Sequence, residues 1–303
     1  MVEACFATAT DVDAGMELGH AHPWARAHPR APPGPAPDPA PDPTGRYDPA
    51  RATSPNRGGQ VPQEPMTAVL GRAAAVGPFF SVRTDAGVPR EQGFIPLAEL
   101  YREGDSPTLR KRLETVATRL GTAERRVAAS LVQQGLAGRL WSVALGPAAL
   151  AGRVPDLGGD ALWWHPDRST PDELWLPSPS SPRSASGEDV TSLLRAAVLR
   201  EHLVPLHHAI TAASPISPRV LWGNAASALV GTLRVLHGWC RSTGRGEAAE
   251  RAVALTASLL DTPPLRDCGT LDPTVPAFSR RSCCLYYRVP GGGLCGDCVL
   301  RRM

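Results

Sequence analysis

Near its C-terminal end the chain runs Ser282-Cys283-Cys284-Leu-Tyr-Tyr-Arg288-Val-Pro290-Gly291-Gly292-Gly293-Leu-Cys295-Gly-Asp-Cys298, so four of its seven cysteines fall within sixteen residues. Thiols this concentrated restrict the local fold to one that gathers sulfur around a metal or joins it as disulfides. Cys295-Gly296-Asp297-Cys298 can wrap one metal ion, because two intervening residues, one of them glycine, let both thiolates turn inward. The run 290–293 carries no bulky side chain, so its backbone N–H groups can approach sulfur. A disulfide framework suits a small secreted domain better than a chain of 303 residues that opens with Glu3, Asp11 and Asp13 instead of a basic-then-apolar signal. Spacing leaves two metal readings open. Structural zinc sites place two to four residues within each ligand pair, whereas Cys283-Cys284 has none, and adjacent side chains diverge along an extended backbone. A two-iron cluster offers two metal centres over a wider span and tolerates such a pair better.

The rest of the chain divides by composition. Residues 1–65 hold 13 of the 32 prolines and show no hydrophobic period. Such a segment cannot bury enough apolar surface to offset its ordering entropy, and it is expected to be a disordered, locally polyproline-like arm. His20, His22 and His28 in it are expected to be stray polar residues. Met66 stands where domain-like sequence begins and is a candidate start of translation, which an intact native mass near 32.1 kDa would refute. From Thr67 onward, apolar residues recur at three- and four-residue steps, and helices are expected over 67–74, about 97–101, 106–120 and from Thr122 through Leu140. Ser106-Pro107 supplies an N-cap with proline in the first turn, and Gly121 a stop. A further helix starts at Asp189 or Thr191 and is broken at Pro205; others start at Ser217-Pro218 and at Glu247. The runs 161–165 and 173–177, joined by Asp167-Arg-Ser-Thr-Pro171, predict one short β-hairpin. His202, His207 and His208 have partial metal-ligand spacing, but they lack an acidic neighbour beyond Glu201 and straddle Pro205. Cys240 and Cys268 read as ordinary buried thiols.

The string Cys-Cys-x10-Cys-x2-Cys, with Tyr287-Arg288-x-Pro290-Gly291-Gly292-Gly293 inside it, resembles the C-terminal signature of the FhuF-like ferric siderophore reductases. Residues 128–140 and the block Leu221-Trp222-x-Asn224-x-Ala226-Ser227 resemble that family more diffusely. The resemblance implies that Cys283, Cys284, Cys295 and Cys298 bind a [2Fe-2S] cluster. Arg288, Gly291, Gly292 and Gly293 would lie around it, and no catalytic residue beyond the cluster is implied. Arg139, Trp222 and Asn224 are candidates for contact with substrate; for Arg139 the competing reading is a surface arginine whose stem lies on apolar neighbours. Asn224, in an apolar stretch, needs a partner if buried.

Several chemistries are excluded on motif grounds. No Gly-x-Gly-x-x-Gly follows a strand, and no phosphate-binding lysine loop or Gly-x-Ser-x-Gly turn appears, so electrons for a reductase must come from a ferredoxin, flavodoxin or flavin reductase. The 32 basic residues include a single lysine, Lys111, and form no block that would mark a nucleic-acid partner. No apolar run reaches membrane-spanning length; the nearest, 143–152, is too short. Residues 280–303 carry five arginines against one acid, Asp297, which would suit an acidic redox partner or an anionic chelate. The expectation is a mainly α protein (α+β with one short β-hairpin), divided into a 1–65 arm, a 66–268 helical body and a 269–303 cluster-binding segment. It would be a cytoplasmic reductase of ferric siderophore iron, the alternative being a helical interaction protein with a structural four-cysteine zinc site.

Overall fold

In a computed structural model, residues 64–101, 106–168, 170–181 and 189–302 are described; the expected proline-rich arm, apart from Glu64 and Pro65, lies outside them. The fold is mainly α. Its helices are α1 (Met66–Ala74), α2 (Pro107–Arg119), α3 (Arg125–Ala151), α4 (Val190–Leu194), α5 (Val204–Ala213), α6 (Pro218–Ser242) and α7 (Gly246–Leu260).

The organising element is α3, of whose 27 residues 22 are buried. A helix apolar on all sides must sit in the core, and α3 is flanked by α1, α2, α6 and α7. The apolar run 143–152 is its last third and carries the helix well beyond the expected Leu140. No helix among the described residues is long and apolar enough to cross a membrane. Small residues let α6 approach closely. Trp141 Nε1 donates to the Ala225 carbonyl at 3.1 Å, and the Ser142 and Thr232 hydroxyls meet at 3.1 Å.

Helix starts follow local chemistry. Ser106 Oγ accepts from Leu109 N at 3.2 Å with Pro107 first in α2, as expected. At α3 the expectation shifts slightly. Thr122 Oγ1 accepts from Glu124 N at 3.2 Å in a turn ahead of the helix, and Glu124 occupies the cap position. Pro205 does not break its helix. The segment Arg195–Leu203 between α4 and α5 is wound as a π-helix, with Val204 N donating to Leu199 O. The wider turn takes up a residue whose ring would clash with the carbonyl four positions back.

The expected hairpin forms from β2 (Trp163–Trp164) and β3 (Leu174–Trp175), and β1 (Ile95–Pro96) adds to its edge, giving an antiparallel sheet of order β1-β2-β3. A second hairpin, β4 (Gly269–Asp272) with β5 (Ala277–Arg280), was not anticipated; it leads directly into the cysteines. Its turn is set by Asp272, whose Oδ1 accepts from Thr274 N at 3.0 Å and Thr274 Oγ1 at 2.6 Å. Phe278 of β5 is buried in the main core, so the start of the cysteine-bearing segment is pinned against the helices.

Candidate metal centre

The four clustered cysteines leave β5 and double back. Cys284, Cys295 and Cys298 are buried and pack on one another, with Tyr286 and Leu300 against them, while Cys283 is half-buried at the rim. The loop between them is pinned to the α2–α3 corner, where Val289 packs on Val127 and Leu131 with Leu120, Leu285 and Tyr286 alongside. Arg288 adds a two-pronged ion pair to Glu124, at 2.9 and 3.0 Å, and holds that carboxyl below the usual range together with Arg126. Arg288 is thus a clip on the outside of the loop.

The glycine run has a different job from the one expected. Gly291 adopts φ 71°, a left-handed conformation that side chains disfavour. A Cβ at Gly292 would meet the Tyr286 carbonyl at 2.5 Å and that of Val289 at 2.8 Å, and its N–H donates to Val289 O at 2.8 Å. That amide closes a turn instead of facing sulfur, and Gly293 has open space around it. Amide-to-sulfur contacts come from the first cysteine pair: Leu285 N donates to Cys283 Sγ at 3.4 Å, and the Tyr286 amide bonds Cys284. Leu285 reaches this position through a left-handed φ of 67°.

Beneath the cysteines lies a chain of buried polar contacts that joins three parts of the sequence. Arg280 is 2% exposed; its Nε donates to Ser282 O at 2.5 Å and its Nη2 to Asn224 Oδ1 at 2.7 Å. Asn224 in turn donates to the Ser130 carbonyl at 2.9 Å and hydroxyl at 2.8 Å, and Ser130 Oγ donates to Cys284 O at 2.7 Å. The buried amide of Asn224 is therefore satisfied and supports the cysteine segment from α6. Asp297, between the second pair of cysteines, is anchored likewise. It accepts from Ser227 Oγ at 2.5 Å and from Arg234 at 2.8 and 3.4 Å. Ser227 stands in the block that resembles the family and Arg280 among the five C-terminal arginines, but neither they nor Ser130 and Arg234 were read from sequence as supports of the cysteines. The available signal was a polar stripe at 224, 227 and 234, spacings that share one face of an otherwise apolar helix.

The other candidates lie elsewhere. Arg139 is buried and ion-paired with Glu173, and it donates to the Pro78, Phe79, Ser81 and Pro171 carbonyls. It is not a surface arginine with a free head. Beside it is a cavity of about 40 Å³ whose wall includes Arg112 and Glu173, and there Arg112 Nε and Glu173 Oε2 have no partners among the described residues. That volume suits bridging water and is far below what would enclose a chelate. Trp222 is partly exposed and stacks on His207 at 4.6 Å. His202 is buried between Tyr101 Oη and the Leu157 carbonyl. Cys240 is buried, and Cys268 is half-buried with Sγ 3.6 Å from Pro264 O; burial pushes both thiols up.

The donor set fits a two-iron cluster, which needs four thiolates: Cys284, Cys295 and Cys298 pack on one another with Cys283 at their rim, and the Cys284 and Cys295 thiols are hydrogen-bonded to each other. That bond first, and burial second, hold Cys284 far above an ordinary thiol, while burial raises Cys283. Metal binding would displace these protons. Arg280 Nη1, also buried, has no partner among the described residues. Of the C-terminal arginines whose side chains are described, Arg280 is interior, Arg288 pairs with Glu124 and Arg281 with Asp267, and Arg301 is exposed with Nη2 on the Leu294 carbonyl. No curated protein matches the chain. Residues 280–300, the stretch from Arg280 through all four cysteines to Leu300, match the model of the FhuF 2Fe-2S C-terminal domain, so this stretch is similar to a [2Fe-2S]-binding domain.

Proposed function

We propose that this protein is a cytoplasmic reductase that passes single electrons to ferric iron held in a siderophore, with Cys283, Cys284, Cys295 and Cys298 as the cluster ligands. The observation that carries this reading is the packing of three buried cysteines, with the fourth at their rim, inside the segment that matches the FhuF 2Fe-2S domain. A bound [2Fe-2S] cluster supplies reversible one-electron transfer. The protein's own part is to hold and shield. Ser130 and Asn224 fix the backbone at Cys284, Asp297 fixes the second cysteine pair against α6, and Val289 and Tyr286 close the site on the side of α3. Cys283, less buried than the other three, gives the site its outer edge.

On the substrate side, Fe(III) held by hard oxygen donors accepts one electron, and the lower charge of Fe(II) loosens the chelate and frees the metal. The small cavity beside Arg139 cannot enclose such a chelate, so it would dock on the outer surface. Of Arg139, Trp222 and Asn224, only Trp222 keeps open surface to contribute. With no dinucleotide motif in the chain, a ferredoxin, flavodoxin or flavin reductase would supply the electron.

Anaerobic purification followed by iron, sulfide and zinc analysis tests the reading. About two irons and two sulfides per chain are expected, with visible absorption that bleaches on reduction and ferrous release from a ferric siderophore under an external reductant. One zinc per chain without sulfide would end it in favour of a zinc-stapled interaction protein. Cys295→Ser should lose most of the iron; unchanged iron content would remove Cys295 from the ligand set.

A further inference from the structure

Arg280 presents an unresolved charge. It is 2% exposed, and its partners Ser282 O, Asn224 Oδ1 and Ser282 Oγ are all neutral. Among the described residues no carboxylate forms an ion pair with it: Asp272, the nearest acid in sequence, accepts from Thr274 in the β4–β5 turn, and Asp297, whose backbone carbonyl meets the Arg280 amide at 3.4 Å, has its carboxylate held by Arg234 and Ser227. An interior guanidinium without a counter-charge is costly by several kcal/mol. One of its donors, Nη1, is buried and has no partner among the described residues. Both deficits are met by the same thing, a compact anion with acceptor atoms beside the cysteines, to which Arg280 is tied by its contacts with Ser282, next to Cys283, and with the backbone of Asp297, between Cys295 and Cys298.

We propose that Arg280 is the internal counter-ion and hydrogen-bond donor of the cluster, its Nη1–H donating to a sulfur of the cluster or of its thiolate ligands. This rests on the cluster being held by the four cysteines; it does not depend on which substrate receives the electron. A four-thiolate two-iron cluster carries a formal charge of about −2 when oxidised and about −3 when reduced. A fixed cation and an N–H···S bond stabilise the more negative form more, so Arg280 raises the reduction potential. The fold holds the guanidinium for this purpose from two sides: Ser282 fixes Nε and Asn224 fixes Nη2, leaving Nη1 as the group to spare. Gly223 contributes by omission, since a Cβ there would lie 3.0 Å from Arg280 Nη2 and against the Ser282 hydroxyl.

Two measurements on the full-length holoprotein test this. In Arg280→Gln and Arg280→Lys, iron and sulfide per chain report whether the cluster is bound, and a potentiometric titration reports its midpoint. With the cluster bound, Arg280→Gln is expected to fall by about 59 mV or more, a tenfold shift in a one-electron equilibrium, and Arg280→Lys by less because the charge survives. A scaffold role for Arg280 would alter cluster content without moving the potential. Wild-type holoprotein labelled with guanidinium-15N arginine gives a readout that requires no variant to fold: pulsed EPR of the reduced cluster should show a 15N coupling. An unchanged midpoint in both loaded variants, or no 15N coupling in the wild type, overturns the proposal. Absence of iron and sulfide in the wild type itself would instead overturn the cluster reading on which it rests.

Discussion

Arg139 shows how a charge can be carried into a helical core and spent there. It lies in the buried middle of α3, and Glu173 together with four backbone carbonyls takes up its donors. Burial lowers its pKa and Glu173 opposes that shift, as for any interior ion pair. Removing one partner leaves the other charge stranded. Arg139→Leu is therefore expected to destabilise the protein by about 3–5 kcal/mol in urea unfolding, and Arg139→Leu/Glu173→Leu by clearly less than the sum of the two single changes. A substrate-binding Arg139 would behave otherwise, with a higher KM for the ferric chelate and little change in stability. Arg280 is the contrasting case: among the described residues no carboxylate is ion-paired with it, the buried Asp297 being held by Arg234, and on the proposal above its counter-charge would be the cluster.

Among the elements, α6 does most to position the cysteines, and its glycines separate two effects. At Gly223 a Cβ would run into the Ser282 hydroxyl, so Gly223→Ala must displace that hydroxyl from its contacts with the Arg219 carbonyl and Arg280, which join the start of the cysteine segment to the helix. At Gly238, on the same helix, a Cβ meets nothing within 4 Å. Gly223→Ala is expected to cost about 1–3 kcal/mol and to speed loss of the cluster's visible absorption on exposure to a chelator. Gly238→Ala should instead stabilise by up to about 1 kcal/mol, the ordinary gain from replacing a mid-helix glycine. Equal effects of the two changes would mean that α6 does not bear on the cysteine segment. The helices themselves were legible in sequence because three- and four-residue apolar spacing and the Ser106-Pro107 cap are local signals. So was the metal-binding character of the C-terminal cysteines. The hairpin of β4 and β5 was not, because each strand is only four residues long and shows no clean alternation in sequence. The roles of Gly223, Asn224 and Ser130 were hidden for another reason: each is defined by a partner tens of residues away, on an element whose placement only packing determines. Pro205 misled because a proline's usual effect assumes α geometry, and the π-turn ahead of it removes the clash.

At the scale of the whole molecule, one histidine ties distant parts of the fold together and sets how it responds to acid. His202, in the π-helical segment, is buried at 1% exposure. Its Nε2 faces the Leu157 carbonyl at 2.7 Å, in the connection after α3, and its Nδ1 meets Tyr101 Oη, in the connection before α2. A carbonyl can only accept, so Nε2 carries the hydrogen and Nδ1 accepts from the phenol; the ring is neutral. Burial also pushes the Tyr101 phenol up, keeping it protonated as the donor. Burial, opposed by the hydrogen bond to Leu157, lowers His202 to about 4 from an ordinary value of 6.5. Between those values the unfolded chain binds a proton that the folded chain refuses. Stability is therefore full above about pH 6.5 and declines as pH falls toward 4, by about 1.4 kcal/mol per unit and about 3 kcal/mol in all from this group. His207 shifts in the same direction, chiefly through burial, and adds to the trend. His202→Gln retains polar groups on the ring's path but cannot titrate, so it should be less stable than wild type at pH 7.5 and lose that deficit as pH approaches 4.5. Comparing the two proteins at each pH cancels the acid sensitivity that both share at the cysteines. Parallel urea-unfolding curves for the two across that range would show that His202 does not titrate with folding, and that the three-way contact through its ring is not what couples these connections.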